Sequence, residues 1–198
     1  MSNSVDFFLS LFLAAKFRMI LIFYFLKSKI YMTDYEYHNY ANCAYEYAKD
    51  VIKGRFPEGE KAIAQDARYA YCYASEVIKG RFPKGEKAIA QKAKWAYLYA
   101  SDAIKGRFPE GEKAIAQDII FAIAYAGDVI KGRFPEIEKA IAQDAFYAYE
   151  YARYAIKGRF PEGEEIILKS EYAKEYKNLV KKIPKPIEFS SFLKKKVK

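Results

Sequence analysis

The sequence predicts an all-α fold, a tandem-repeat α-solenoid of about five two-helix units. Three observations carry this expectation. The phrase IKGRFPEGEKAIAQ, which begins at Ile52, returns in nearly the same words at Ile78, Ile104, Ile130 and Ile156. The step is 26 residues each time, without insertion, and a fixed period of about 20–50 residues marks stacked repeats. Within each copy, helix-stop and helix-start residues fall in a constant order.

The first element, residues 1–31, is hydrophobic and contains VDFFLSLFLAAKFRMILIFYFL. Lys16 and Arg18 stand near its middle, where each costs about 2.5–3.5 kcal/mol in a bilayer. The apolar runs on either side are too short to span alone. A secretory leader fits poorly, because the start carries Asp6 and no basic residue. Three readings stay open: a helix capping the array, a weak membrane anchor through residues 5–26, or an extension outside the working fold, which then opens at Met32.

Residues 32–180 form the helical array. In one copy, Asp66 stands as a helix N-cap, its carboxylate placed to accept orphan backbone N–H groups. Ala67, Ala70, Ala74 and Val77 follow on one helical face. Lys79 lies in the last turn, and Gly80 follows as the residue expected to turn left-handed and close the helix. Pro83 suits the first position of a second, shorter helix, PKGEKAIAQ. Helices of about 13 and 9 residues are marginal in isolation; stacking supplies the missing partner surface. A rival arrangement also fits. Ile63, Ala67, Ala70, Ala74 and Val77 step by heptads across the supposed break, which suits an antiparallel array of single long helices. Gly59 and Asp66 weaken that helix without forbidding it.

Residues 181–198 are a basic tail, and Pro184 and Pro186 end the helical region. The net charge of +9 resides largely in this end and in the second copy, where Lys84, Lys87, Lys92 and Lys94 accumulate. The other copies are close to neutral. A nucleic-acid reader more often carries a basic stripe along its whole length.

Phase places the remaining residues. Ala70, Ala96, Ala122 and Ala148 share one position, and Ala74, Ala100, Ala126 and Ala152 another, where helix backbones approach closely. Tyr73, Tyr99, Tyr125 and Tyr151 share a third, on the same side of the array and one stacking step apart. Tyr45, Tyr71, Tyr97 and Tyr149 share a fourth, broken by Ile123. Such tyrosines pack between units with their hydroxyls at the rim, or offer a contact face to a protein. Arg55, Arg81, Arg107, Arg133 and Arg159 recur with Glu60, Glu86, Glu112, Glu138 and Glu164. They suit an exposed ladder in which each Arg bridges its own unit's Glu and a neighbour's. The candidate partner-binding residues are therefore Tyr73, Tyr99, Tyr125, Tyr151, Arg81, Arg107 and Arg133.

Chemistry has little foothold. No nucleophile elbow, zinc-helix or phosphate-loop motif occurs, so no catalytic, cofactor or metal residue is expected. His38 lacks partners for a metal site. Cys43 and Cys72 sit at different phases without a CxxC pattern, which suits buried or half-buried thiols of a reducing, cytoplasmic compartment.

The units, written YAYxYAxxVIKGRFPEGEKAIA, resemble tandem repeats in uncharacterised proteins of phages and giant viruses that read YARDVIKGRWPEAE before a DP helix start. The resemblance covers about Tyr45 to Glu164. This chain lacks the proline after Asp66, Asp118 and Asp144. The resemblance implies an α-helical repeat and a viral origin, and carries no site residues. The functional expectation is a non-enzymatic scaffold or protein-binding module, acting in a host cytoplasm if viral. The alternatives are a nucleic-acid or anionic-surface binder using the tail and second copy, and a membrane-tethered adaptor. The oligomeric state is left open.

Overall fold

The computed structural model describes residues 34–181. The hydrophobic segment with its three readings, and nearly all of the basic tail, lie outside the described residues.

The array is built of long and short helices in strict alternation, with no strand among the described residues. The long helices are α1 (Asp34–Glu46, continued by Tyr47–Ile52), α3 (Ala67–Cys72 and Tyr73–Ile78), α5 (Ala93–Leu98 and Tyr99–Ile104), α7 (Ile119–Tyr125 and Ala126–Ile130) and α9 (Ala145–Glu150 and Tyr151–Ile156). The short ones are α2 (Glu60–Ile63), α4 (Pro83–Ile89), α6 (Pro109–Ile115), α8 (Pro135–Ile141) and α10 (Pro161–Leu168), and α11 (Ala173–Lys181) closes the series. A long helix and the short helix after it make one unit, numbered one to five. The two-helix reading holds over the single-helix rival: Asp66 is extended, φ −107° and ψ 121°, and its carboxylate accepts from the N–H groups of Arg68 (2.9 Å) and Tyr69 (3.0 Å). Asp118 and Asp144 cap α7 and α9 in the same way.

The C-terminal closure differs from expectation. The left-handed residue is the lysine, not the glycine: Lys53, Lys79, Lys105, Lys131 and Lys157 have φ of 54–57°, and no described glycine has positive φ. The cause is the last turn of each long helix, which widens to π geometry. Ala74 O accepts from both the Lys79 N–H and the Gly80 N–H, the latter at 3.0 Å. This closure is one residue longer than the usual glycine-capped one, so the reversal falls one residue early.

The core repeats with the sequence. Ala70, Tyr73, Ala74, Phe82 and Ile89 are all fully buried, and so are Ala96, Tyr99, Ala100, Phe108 and Ile115 one step on. The glycine of the short helix is demanded by close approach rather than by dihedral angle. A Cβ on Gly85 would stand 2.7 Å from Ala70 Cβ, and one on Gly111 would stand 2.8 Å from Ala96 Cβ. Unit four breaks the pattern with Ile137, which is itself buried. There the Tyr125–Phe134 ring centroids are 5.7 Å apart, against 5.1–5.2 Å for Tyr73–Phe82, Tyr99–Phe108 and Tyr151–Phe160. α7 and α8 touch over a shorter length than the helices of neighbouring units.

α11 ends the stack. Tyr176 is buried and its hydroxyl accepts from Phe160 N–H at 2.9 Å, while Lys174, Glu175 and Lys177 stay exposed. It supplies the next unit's tyrosine without the next unit, as a terminal cap must. Both cysteines are free thiols; Cys72 is half-buried as expected, but Cys43 is exposed on α1. Among the described residues no helix is long and apolar enough to cross a membrane.

Candidate functional site

The short helices begin after a phenylalanine, half-buried at Phe56 and buried in the later copies, whose N–H has no helical acceptor. A tyrosine hydroxyl from the next long helix fills that role. Phe56 N–H donates to Tyr73 (2.7 Å), Phe82 to Tyr99 (2.7 Å), Phe108 to Tyr125 (2.8 Å) and Phe134 to Tyr151 (2.5 Å). The hydroxyl passes its own proton on to the glutamate of the short helix: Tyr99 to Glu86, Tyr125 to Glu112 and Tyr151 to Glu138, each at 2.8 Å. The arginine two residues before the proline in each GRFP segment completes the set. Arg81 and Arg107 Nε donate to the same glutamates at 2.9 Å.

This relay relocates the predicted contact residues. Tyr73, Tyr99, Tyr125 and Tyr151 are 0% exposed and present no surface to a partner. Their hydroxyls are internal ties between consecutive units, and the equivalence of the tyrosines along the array is as expected. Burial raises all four phenols; Tyr125 is pushed up to about 12, and the carboxylate of Glu112 adds to the effect. The signal available in the sequence was the constant spacing of Tyr from the Phe before it and the Glu between them. Arg81, Arg107 and Arg133 do lie at the surface, each paired with its own unit's Glu. The ladder across units is sparser than expected. Among the described residues Arg133 alone of the repeated arginines reaches a neighbour, Glu162 at 2.6 Å; lysines make the other cross-unit pairs, Lys84 to Glu60 at 2.8 Å and Lys49 to Glu76 at 2.7 Å. Within each unit's own Arg–Glu pair the glutamate is the more buried member. Arg107 holds Glu112, and Arg133 holds Glu138, below the ordinary carboxylate range against the cost of burial.

A second row of ties runs along the outer side of the long helices. Tyr45 donates to Glu76 (2.8 Å), Tyr71 to Asp102 (2.7 Å) and Tyr97 to Asp128 (2.7 Å). Ile123 has no hydroxyl to give, and the acid that would receive it is replaced by Tyr154, which turns back to Asp128. On the same outer side one position changes character along the array. Arg68 lies over the Tyr69 ring and Lys94 over the Trp95 ring, 5.6 and 4.7 Å from the centroids. The equivalent residues in units four and five are Ile120 and Phe146, 65% and 47% exposed. Around Phe146 lie Tyr147 and Tyr172, with centroids at 5.4 and 5.9 Å, and Tyr149 stacks on Tyr172 at 5.2 Å.

A groove of about 660 Å³ opens between the short helices of units one and two, lined by Pro57, Lys61, Ala64 and Gln65 on one side and Lys84, Lys87, Ala88 and Gln91 on the other. Lys84 leans on Glu60, which also takes Arg55 at 2.7 Å. Burial alone would raise the Glu60 carboxyl; the bonds from Lys84 and Arg55 outweigh it and hold the group below its ordinary value. Lys61 and Lys87 make no ion pair among the described residues. The described residues hold no cluster of metal-ligating side chains and no buried side-chain polar atom without a hydrogen-bond partner.

No protein-family model, curated protein or solved structure matches this chain.

Proposed function

We propose that the chain is a non-enzymatic helical-repeat scaffold that binds a protein partner through the outer face of α7 and α9. The observation supporting this is the pair Ile120 and Phe146, exposed apolar side chains at equivalent positions where earlier units carry a cation. The two residues stand at equivalent positions of successive long helices, and the rings of Tyr147 and Tyr172 lie beside Phe146. Exposed apolar patches with polar rims mark contact surfaces. The resemblance of the repeats to those of phage and giant-virus proteins supports a viral source and a host or viral partner.

The test restores the cations. The double variant Ile120→Lys, Phe146→Lys carries at these positions what unit three carries, and its fold should persist, read as an unchanged helical circular-dichroism spectrum. Affinity capture from the source cells should lose one defined partner that the parent chain retains. Identical sets of captured proteins from parent and variant would sink the proposal.

A further inference from the structure

We propose that the groove between α2 and α4 holds an acidic peptide segment of the partner, in extended conformation. This rests on the protein-binding reading above and names a second contact for it.

The groove differs from the two that follow it along the array by one residue, and from the last by four. Where it has Lys84, units three, four and five have Glu110, Glu136 and Glu162. In unit five that glutamate is turned toward the preceding unit's arginine; in unit two the lysine is turned toward the preceding unit's glutamate. Because Glu60 is already balanced by Arg55, Lys84 brings surplus positive charge. Lys61 and Lys87 add theirs, and no carboxylate lines the groove. An anionic occupant is the complement.

The lining chooses among anions. It contains no aromatic side chain, and base stacking is what holds single-stranded nucleic acid in a groove. It contains no guanidinium fork to grip a phosphate in two places. It does contain two primary amides, Gln65 and Gln91, one from each unit. Each offers a donor and an acceptor, which is what a peptide group needs. The floor of proline and alanine leaves room for a main chain. Lys61 and Lys87 are equivalent residues one repeat step apart. A polyproline-type extended chain advances about 3.1 Å per residue and brings every third side chain back to the same face, so a step of about 10 Å matches carboxylates three residues apart.

The experiment is a titration of the isotope-labelled full chain, followed by NMR at low ionic strength. The probe is the blocked peptide Gly-Glu-Gly-Ser-Glu-Gly-Ser-Glu-Gly; its all-glutamine counterpart and an oligothymidylate are the comparisons. The acidic peptide should shift the side-chain amides of Gln65 and Gln91 and leave those of Gln117 and Gln143 in place. Lys84→Glu, which installs the residue of the other units and so keeps the fold, should weaken binding about tenfold, a loss of about 1.4 kcal/mol. Shifts confined to residues 182–198, equal shifts at all four glutamines, equal binding of the neutral peptide, or larger groove shifts with oligothymidylate would each overturn the proposal. A silent groove in a chain whose Ile120→Lys, Phe146→Lys variant still loses its partner removes the groove alone. A silent groove with unchanged capture removes both.

Discussion

Units three and four are made from nearly the same words, yet they stack differently. In unit three the short helix presses Gly111 against Ala96 and the Phe108 ring. In unit four Ile137 occupies that place and the hairpin stands wider. The change is not solitary. Ile123 replaces the outer tyrosine, Tyr154 replaces the acid that would have met it, and Gly127 replaces the serine of units two and three. A Cβ on Gly127 would fall 2.4 Å from the Tyr154 ring, so the glycine is what lets Tyr154 lie down toward Asp128. The inner relay from Phe134 through Tyr151 to Glu138 survives all of this unaltered. The lesson is a division of labour. The inner tie fixes the stacking step, and the outer side is free to change. Ile120, Phe146 and Tyr154 are exposed in the part of the array where it has changed.

Transplanting the difference should give the largest effect. Gly111→Ile puts a branched side chain where even a Cβ would meet the Phe108 ring at 2.6 Å, without the neighbours that accompany Ile137. Overpacking of this kind costs about 3 kcal/mol. Because repeat arrays unfold in parts, the measurement is native-state hydrogen exchange: protection should fall in α5 and α6 first. Unchanged protection there would mean that unit four's geometry is set by Ile123 and Tyr154, and that Ile137 merely fills the space.

Inner and outer ties should separate next. Tyr99→Phe strands the Phe82 N–H inside the core and takes a donor from Glu86; a buried group left unpaired costs about 1–3 kcal/mol. Tyr97→Phe removes a bond that lies at the surface, and about 0.5 kcal/mol is expected. Urea unfolding of the two variants checks the order, and equal losses would erase the distinction between the rows.

The same tie makes the array sensitive to alkali. A phenol raised above its ordinary 10 holds its proton more tightly when folded. It contributes stability that is complete below pH 10 and is lost as pH rises toward the folded value, about 12 for Tyr125. Glu112 and Glu138 are lowered, so their contribution is complete above the ordinary 4.5 and is lost as pH falls below it. Melting temperature should thus be flat in between and drop on both sides. In Tyr99→Phe, Tyr125→Phe the alkaline drop should shrink. An alkaline limb identical to the parent's would assign the loss to other groups.

Much of this was legible in the sequence, for reasons particular residues make plain. The period, Asp66 as a cap and Pro83 as a start act locally, and local rules suffice to read them. Tyr99 was harder. Its hydroxyl argues for the surface, and only the partnership with Phe82 N–H, 17 residues before it, explains why a polar ring is fully buried. The Arg–Glu pairs were legible within a unit, where five residues separate them, and not between units, where the stacking geometry decides who reaches whom. Ile123 was visible as an interruption, but its companions Gly127 and Tyr154 become meaningful only once the helices are side by side. The closure at Lys79 was hidden by Gly80, which is the residue a standard helix end would have used.

That closure gives the smallest effect and the sharpest control on the comparison. A left-handed residue with a Cβ is strained by about 1–2 kcal/mol, and Lys105 and Lys131 carry it equally, at φ 56° and 57°. Glycine relieves the strain but gains freedom in the unfolded chain, so Lys105→Gly should stabilise by about 0.5 kcal/mol. Lys105→Ala keeps the Cβ and should change nothing measurable. The bonds that define the turn are local: Gly106 and Gly132 N–H reach Ala100 and Ala126 O at 3.0 and 3.1 Å. The gain from Lys131→Gly should therefore equal that from Lys105→Gly, although unit four's hairpin is wider. Hydrogen exchange of the two variants reads both gains in one experiment. A clearly larger gain at Lys131 would show that the looseness around Ile137 reaches the helix end, and that the units differ in more than one face.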